Sequence, residues 1–143
     1  MLVSQILKTK GDGVVGLTPE ATITEAAALM AQHNVGAVLV RTDEGEVRGI
    51  LSERDLARGL AGQGRAVCDA KVAALMTANV ITCSLDDTTD GLMELMTQRR
   101  IRHLPVVSGG KLVGMISIGD VVKARLGELQ SQAAELQAYI ATG

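Results

Sequence analysis

Two short constellations in this chain have residue types and a spacing suited to chemistry: Ser52-x-x-Asp55 and Ser117-x-x-Asp120. Each stands where an apolar strand steps into a helix, in the runs GILSERDL and GMISIGDV. At such a step the first backbone N–H groups of the helix have no partner inside it and the helix dipole is positive. A serine hydroxyl placed there, together with those amides, suits a phosphate. The aspartate one turn later faces the same side, and its carboxylate can accept two hydrogen bonds from a ribose diol. The same spacing also makes a capping box, in which the serine caps the helix and the acid reaches back to the backbone. One copy alone would favour the cap. Two copies at equivalent places, each after a Gly-led apolar strand, favour ligand binding.

Charge separates the two. Arg99, Arg100, Arg102 and His103 concentrate positive groups upstream of the second Ser-x-x-Asp, whereas the equivalent stretch of the first copy reads His33, Asn34, Gly36 and Ala37. Guanidinium groups beside a helix N-terminus make forked, charge-assisted bonds to phosphate, although each of these arginines could equally end a solvated helix. Arg54, inside SERD, either reaches a phosphate or pairs with an acid such as Glu53. His103 before Leu104-Pro105 reads as a ligand contact or as a hydrogen-bonded structural histidine, and His33 as a surface group. Cys68 and Cys83 have neither CxxC spacing nor a histidine close in sequence, so they read as ordinary thiols, and no metal is expected.

What must position these groups is an internal repeat. Val14 to Arg58 overlays Val80 to Lys123, offset by 66 residues at first and 65 later. Along it Thr22 meets Thr88, Met30 meets Met96, Gly49 meets Gly114, Ser52 meets Ser117 and Asp55 meets Asp120. A unit of this size buries its apolar face only against a neighbour, so the two copies are expected to form a pseudo-symmetric pair sharing one core. Periodicity gives each copy the order β-α-β-β-α. In the first, Val14 to Leu17 is a strand, Glu20 to Asn34 a helix, Val35 to Val40 and Val47 to Leu51 a hairpin, and Ser52 opens a helix toward Gly59. In the second, Val80 to Cys83 is a strand, Thr88 to Arg99 a helix, Leu104 to Val107 and Leu112 to Ile116 a hairpin, and Ser117 opens the last helix. Ser4 is expected to cap a short helix ending at Gly11, and Gly59 to Ala78 to be a connector with a short helix at Val72 to Met76. The fold class is α+β. The boundaries read 1–13 for the N-terminal helix, 14–62 and 80–125 for the units, 63–79 for the connector and 126–143 for the C-terminal helix.

Two such units in tandem, with GILSERDL, LMT before the second unit, and RIRHLPV followed by GMISIGDV, resemble the CBS-domain pair, or Bateman module, of stand-alone bacterial proteins. The resemblance covers Val14 to about Arg125. It implies a non-catalytic sensor of energy or redox state that binds AMP, ADP, ATP, NAD(H) or S-adenosylmethionine in clefts between the units. It also implies that each cleft takes Ser and Asp from one unit and the adenine-contacting leading strand from the other. Cleft one would then combine Ser117 and Asp120 with Leu17, Thr18 and Ala21, lined by His103 and Pro105. Cleft two would combine Ser52 and Asp55 with Thr82, Ser84 and Asp87, beside Ala37 and Val38. Charge, and not the resemblance, adds Arg102 to the first and Arg54 to the second as candidates.

Composition agrees with this and excludes other classes. The 143 residues carry a net charge of −2 and a single aromatic residue, Tyr139. That composition gives no general attraction to nucleic acid or anionic lipid and no platform for stacking bases. No apolar run has the length of a membrane span and the N-terminus lacks the pattern of a signal peptide, so a cytoplasmic protein is expected. Nucleophile elbow, HExxH and P-loop patterns are all missing from the sequence, which argues against an enzyme. The competing class is a scaffold with empty clefts. Leu126, Leu129, Ala133, Leu136 and Ile140 recur at spacings of 3, 4, 3 and 4, an apolar helical seam that packs on the chain's own body or across a homodimer. An unnamed protein target completes the expected partners.

Overall fold

The structure is a computed structural model and describes residues 1–11 and 13–142. Asp12, within the expected N-terminal segment 1–13, and Gly143, the last residue of the expected C-terminal helix, lie outside the described residues. Helix α1 (Val3–Lys10) is followed by β1 (Gly16–Leu17), α2 (Ile23–His33), β2 (Ala37–Arg41), β3 (Val47–Ser52) and α3 (Glu53–Gln63). A 3-10 turn (Gly64–Asp69) and α4 (Val72–Leu75) form the connector. The second unit contains α5 (Thr89–Arg99), β4 (His103–Ser108), β5 (Lys111–Ser117) and α6 (Ile118–Thr142). The fold is α+β, with order β1-β2-β3 in the first sheet and a β4-β5 hairpin in the second.

Local chemistry sets the element ends. Thr22 and Thr88, equivalent in the repeat, cap α2 and α5 by accepting from the N–H groups of Glu25 and Gly91. Helix α2 therefore begins at Ile23, three residues later than Glu20. Both helices stop at a residue in the left-handed conformation, Asn34 (φ 53°) and Arg100 (φ 55°). At α1 the cap is Leu2, whose N–H donates to Gln5 Oε1 at 2.7 Å, and Ser4 lies inside the first turn. The expected stop at Gly59 does not occur. Its missing side chain is instead a packing device, because a Cβ there would lie 2.0 Å from Leu75 Cδ2, so α3 runs on to Gln63 against the connector.

The second leading strand is reduced to one parallel bridge between Cys83 and Val106. Val80 to Ile81 does not pair, and Cys83 alone exchanges bonds with the hairpin, its N–H donating to Pro105 O and its C=O accepting from Val107 N–H, both at 2.9 Å. Helix α6 is continuous through the former boundary at 126, and within the chain its seam stays uncovered: Leu126, Leu129, Leu136 and Ile140 are exposed.

In place of one shared core there are two, and the helix preceding each repeat belongs to the other repeat's core. Val3, Ile6 and Leu7 of α1 join Leu92, Met96, Leu104, Val106, Ile116 and Val121 of the second unit. Val67 and Val72 of the connector join Ile23, Ala26, Met30, Val38, Val40 and Leu51 of the first. Backbone bonds fasten each crossing: Val3 N–H and Ser4 N–H donate to Asp87 O and Leu85 O, and Val72 N–H donates to Ala21 O. Close approach explains the paired glycines. A Cβ on Gly114 would meet Leu7 Cδ2 at 2.8 Å, and one on Gly49 would meet Met76 Sδ at 2.7 Å. Along β2 the side chains alternate, so Val38 and Val40 enter the first core while Ala37 and Leu39 stand on the opposite, equally buried face. At the start of this strand His103 of the second unit comes near the first: a Cβ on Gly36 would lie 3.4 Å from Glu53 Oε1 and 3.9 Å from His103 Cε1.

Candidate functional site

Strand pairing brings each serine beside the start of its hairpin partner. His103 is in register with Ser117, and Ala37 with Ser52; Pro105 and Val38 follow opposite Met115 and Leu51. The chain then turns at once into α6 or α3, which places the aspartate one turn in. Both capping boxes are closed. Ser52 N–H and Oγ donate to Asp55 Oδ2 at 2.9 and 3.0 Å, and Asp55 N–H donates back to Ser52 Oγ at 3.3 Å. Ser117 N–H donates to Asp120 Oδ2 at 2.9 Å, and Asp120 N–H to Ser117 Oγ at 3.2 Å. The capping geometry is thus realised at both sites, and these serines and acids are half-buried at the surface.

The two sites differ in a residue that the sequence did not single out. Lys10, in the last turn of α1, donates to Asp120 Oδ2 at 2.6 Å and to Met115 O at 2.7 Å. Burial pushes the Asp120 carboxyl up, but the Lys10 ammonium and the Ser117 amide outweigh it and hold the group below the usual carboxylate range. Asp55 forms no ion pair among the described residues. His103 is pushed down from its ordinary value by burial, then by the Lys10 and Arg102 charges, against the opposite pull of Asp120 and Glu53. At neutral pH it is an uncharged ring with one donor and one acceptor. Arg54 and Arg102 are exposed, as are Arg99 and Arg100.

The leading segments are bound within their own units. Leu17 pairs with Val40, Thr18 O accepts from Ala21 N–H at 3.1 Å, and Ala21 O accepts from α4. Asp87 turns back to accept from Ser84 N–H at 2.8 Å, and Thr82 is exposed beside Cys83. Burial and then the Asp87 charge push the Cys83 thiol up to about 12, so it is an inert core group, while Cys68 is a free, exposed thiol. No cluster of three metal-ligating side chains occurs among the described residues, and none of the helices described is long and apolar enough to cross a membrane. Open concavities adjoin both helix starts: one of about 330 Å³ between α2 and α3, with Gly36 and Glu53 in its wall next to Ala37 and Ser52, and one of about 600 Å³ along α6, lined by Ile118, Gly119, Val122 and Leu126.

Comparison with known proteins accounts for this architecture. The CBS domain family model matches residues 3–62 and 72–127, so each match takes in the helix before the repeat. The CBS-domain containing protein ATU1752 from Agrobacterium tumefaciens is 49% identical, with a TM-score of 0.85 over 87% of this chain and 99% of that one. The mitochondrial CBS domain-containing protein CBSX3 of Arabidopsis thaliana is 39% identical over 99% of this chain and 72% of its own length. The CBS domain pair of protein MJ0100, solved in complex with 5-methylthioadenosine and S-adenosyl-L-methionine, is 26% identical, with a TM-score of 0.79 over 90% of this chain and 98% of that one. With the repeat, the crossed helices and the doubled Ser-x-x-Asp, these matches show that the chain belongs to the CBS-domain family as a tandem pair.

Proposed function

We propose that the chain is a non-catalytic regulatory module that binds an adenosine-containing nucleotide, AMP, ADP, ATP or NAD(H), between its units and reports energy or redox state to a protein partner. The observation that carries this reading is the repetition of a half-buried Ser-Asp pair at the N-termini of α3 and α6, with His103, the strand partner of Ser117, near Gly36 and Glu53 of the first unit. An adenosine has two features that such a pair can take: a diol for the carboxylate and, in the nucleotides, a phosphate for the helix terminus. The complex of MJ0100 with two adenosine derivatives supports the ligand class. Cleft one is assigned Leu17, Thr18, Ala21, Arg102, His103, Pro105, Ser117 and Asp120. Cleft two is assigned Ala37, Val38, Ser52, Arg54, Asp55, Thr82, Ser84 and Asp87. The cation-rich cleft one is the stronger.

The protein is further proposed to act as a cytoplasmic homodimer. Val122, Leu126 and Leu129 form an uncovered apolar face on α6, continuous with the groove along that helix, and a symmetric second copy is the commonest cover for such a face. Titration calorimetry with AMP, ADP, ATP, NAD and NADH tests the ligand class. Saturable heat with at least one of them is expected. Absence of heat and of any melting shift with all of them, and with S-adenosylmethionine, at millimolar concentration would leave a scaffold with empty clefts.

A further inference from the structure

Pseudo-symmetry shows that Lys10 stands where the other unit uses a neutral group. The carbonyls of Ile50 and Met115 are equivalent in the repeat. Ile50 O accepts from Thr77 N–H at 2.8 Å, a backbone amide of the connector, whereas Met115 O accepts from the Lys10 ammonium at 2.7 Å. A buried-edge carbonyl needs a donor but not a charge. The charge has a second effect, because the same ammonium lies 2.6 Å from Asp120 Oδ2, and Asp55 has no cation in the equivalent place among the described residues. Lys10 reaches this point only because α1 crosses to the second unit. It is about one-third exposed and on a flexible stem, so it can leave Asp120 at small cost to the fold.

Resting on the nucleotide reading above, we infer that Lys10 is a specificity-determining residue of cleft one: it holds Asp120 in the free protein and moves to a phosphate oxygen when a ribose takes Asp120. A phosphate-free adenosine that takes Asp120 Oδ2 displaces the ammonium from it and leaves that charge with one carbonyl. A nucleotide breaks the same pair and supplies a new anion. The cleft therefore discriminates by what it does with a displaced cation, a form of selection against the wrong ligand.

Calorimetric titration of AMP and of adenosine into the wild type, Lys10→Met and Lys10→Arg tests this. Lys10→Met keeps the stem and removes the charge. It should weaken AMP, tighten adenosine and cut the AMP-over-adenosine preference by about tenfold or more, equivalent to about 1.4 kcal/mol. Lys10→Arg should keep the preference and serves as the folded control, with thermal melts verifying both variants. An AMP-to-adenosine ratio within about threefold of wild type in Lys10→Met would overturn the inference while leaving nucleotide binding intact. If Lys10→Met fails to fold, Lys10→Gln carries the same expectation. Binding of neither ligand by the wild type would overturn the inference, while the titrations with ADP, ATP, NAD and NADH decide the nucleotide reading separately.

Discussion

Truncating Leu7 to Ala should loosen the second unit, although Leu7 precedes the first. Leu7 is 8% exposed, packs with Val3 and Ile6 in the core of α5, β4 and β5, and covers the bare backbone of Gly114. Leu→Ala substitutions in cores cost about 2–5 kcal/mol, the upper end applying where surroundings cannot collapse. Here a paired strand forms the floor of the site and cannot move in, but the position is at the core's edge, which argues for about 2–3 kcal/mol. Native-state hydrogen exchange reads where that loss falls. Protection should drop across Thr89–Ser117 and change little across Ile23–Ser52. Val72→Ala, the equivalent crossing from α4, should give the opposite pattern. If Leu7→Ala lowers protection in the first unit as much as in the second, the crossed-helix account of the two cores is wrong.

Asp120→Ala should weaken AMP binding more than Asp55→Ala; loss of charge-assisted bonds to a ribose costs about 1.5–3 kcal/mol, roughly 10-fold to 150-fold in affinity by calorimetry, and equal or reversed effects would refute the ranking of the clefts. Because the folded Asp120 carboxyl lies below its ordinary value of 3.8, its contribution to stability is complete above that value and is lost as pH falls through the lower folded one. The melting difference between wild type and Asp120→Asn should accordingly be constant from pH 7 to about 5 and shrink below about 4. Arg100→Gly should stabilise the ligand-free chain by up to about 1 kcal/mol in chemical denaturation, since φ 55° strains a side chain but not a glycine. Leu129→Asp with Leu136→Asp should shift sedimentation from dimer to monomer with little change in the melt, because both side chains are exposed within the chain; a monomeric wild type would refute the dimer.

Elements specified by neighbouring residues were legible in the sequence. The hairpins are bounded by turn residues, and Ser52 and Ser117 open helices where the repeat placed them, whereas the threonine caps at Thr22 and Thr88, though local, went unread and the first helix was expected from Glu20. Elements decided by distant contacts were not. Gly59 reads locally as a helix stop, and only Leu75 in the connector reveals it as a packing position. Val80 to Cys83 has strand composition, yet Cys83 alone finds a partner, since the β4-β5 hairpin offers one bridge there. The destination of α1 carries no local signal, because an amphipathic turn does not state which unit it covers. Lys10 was missed for the same reason: 110 residues separate it from Asp120, and the position 66 residues on, ahead of the second copy, is Met76 and carries no charge to mark it. The missing equivalence, set against the matched Ser-Asp pairs, was the one available clue.

The central claim is that an adenine nucleotide binds where the units meet, on the Ser-Asp termini of α6 and α3. An NMR titration of the isotopically labelled protein with AMP tests it most directly, since every backbone amide reports its own surroundings. The account predicts saturable shifts first at Ser117 to Asp120, Arg102, His103 and Lys10, then at Ser52 to Asp55. Shifts confined to the outer face of α6 around Val122 and Leu126, with the Ser-Asp amides unmoved, would contradict it.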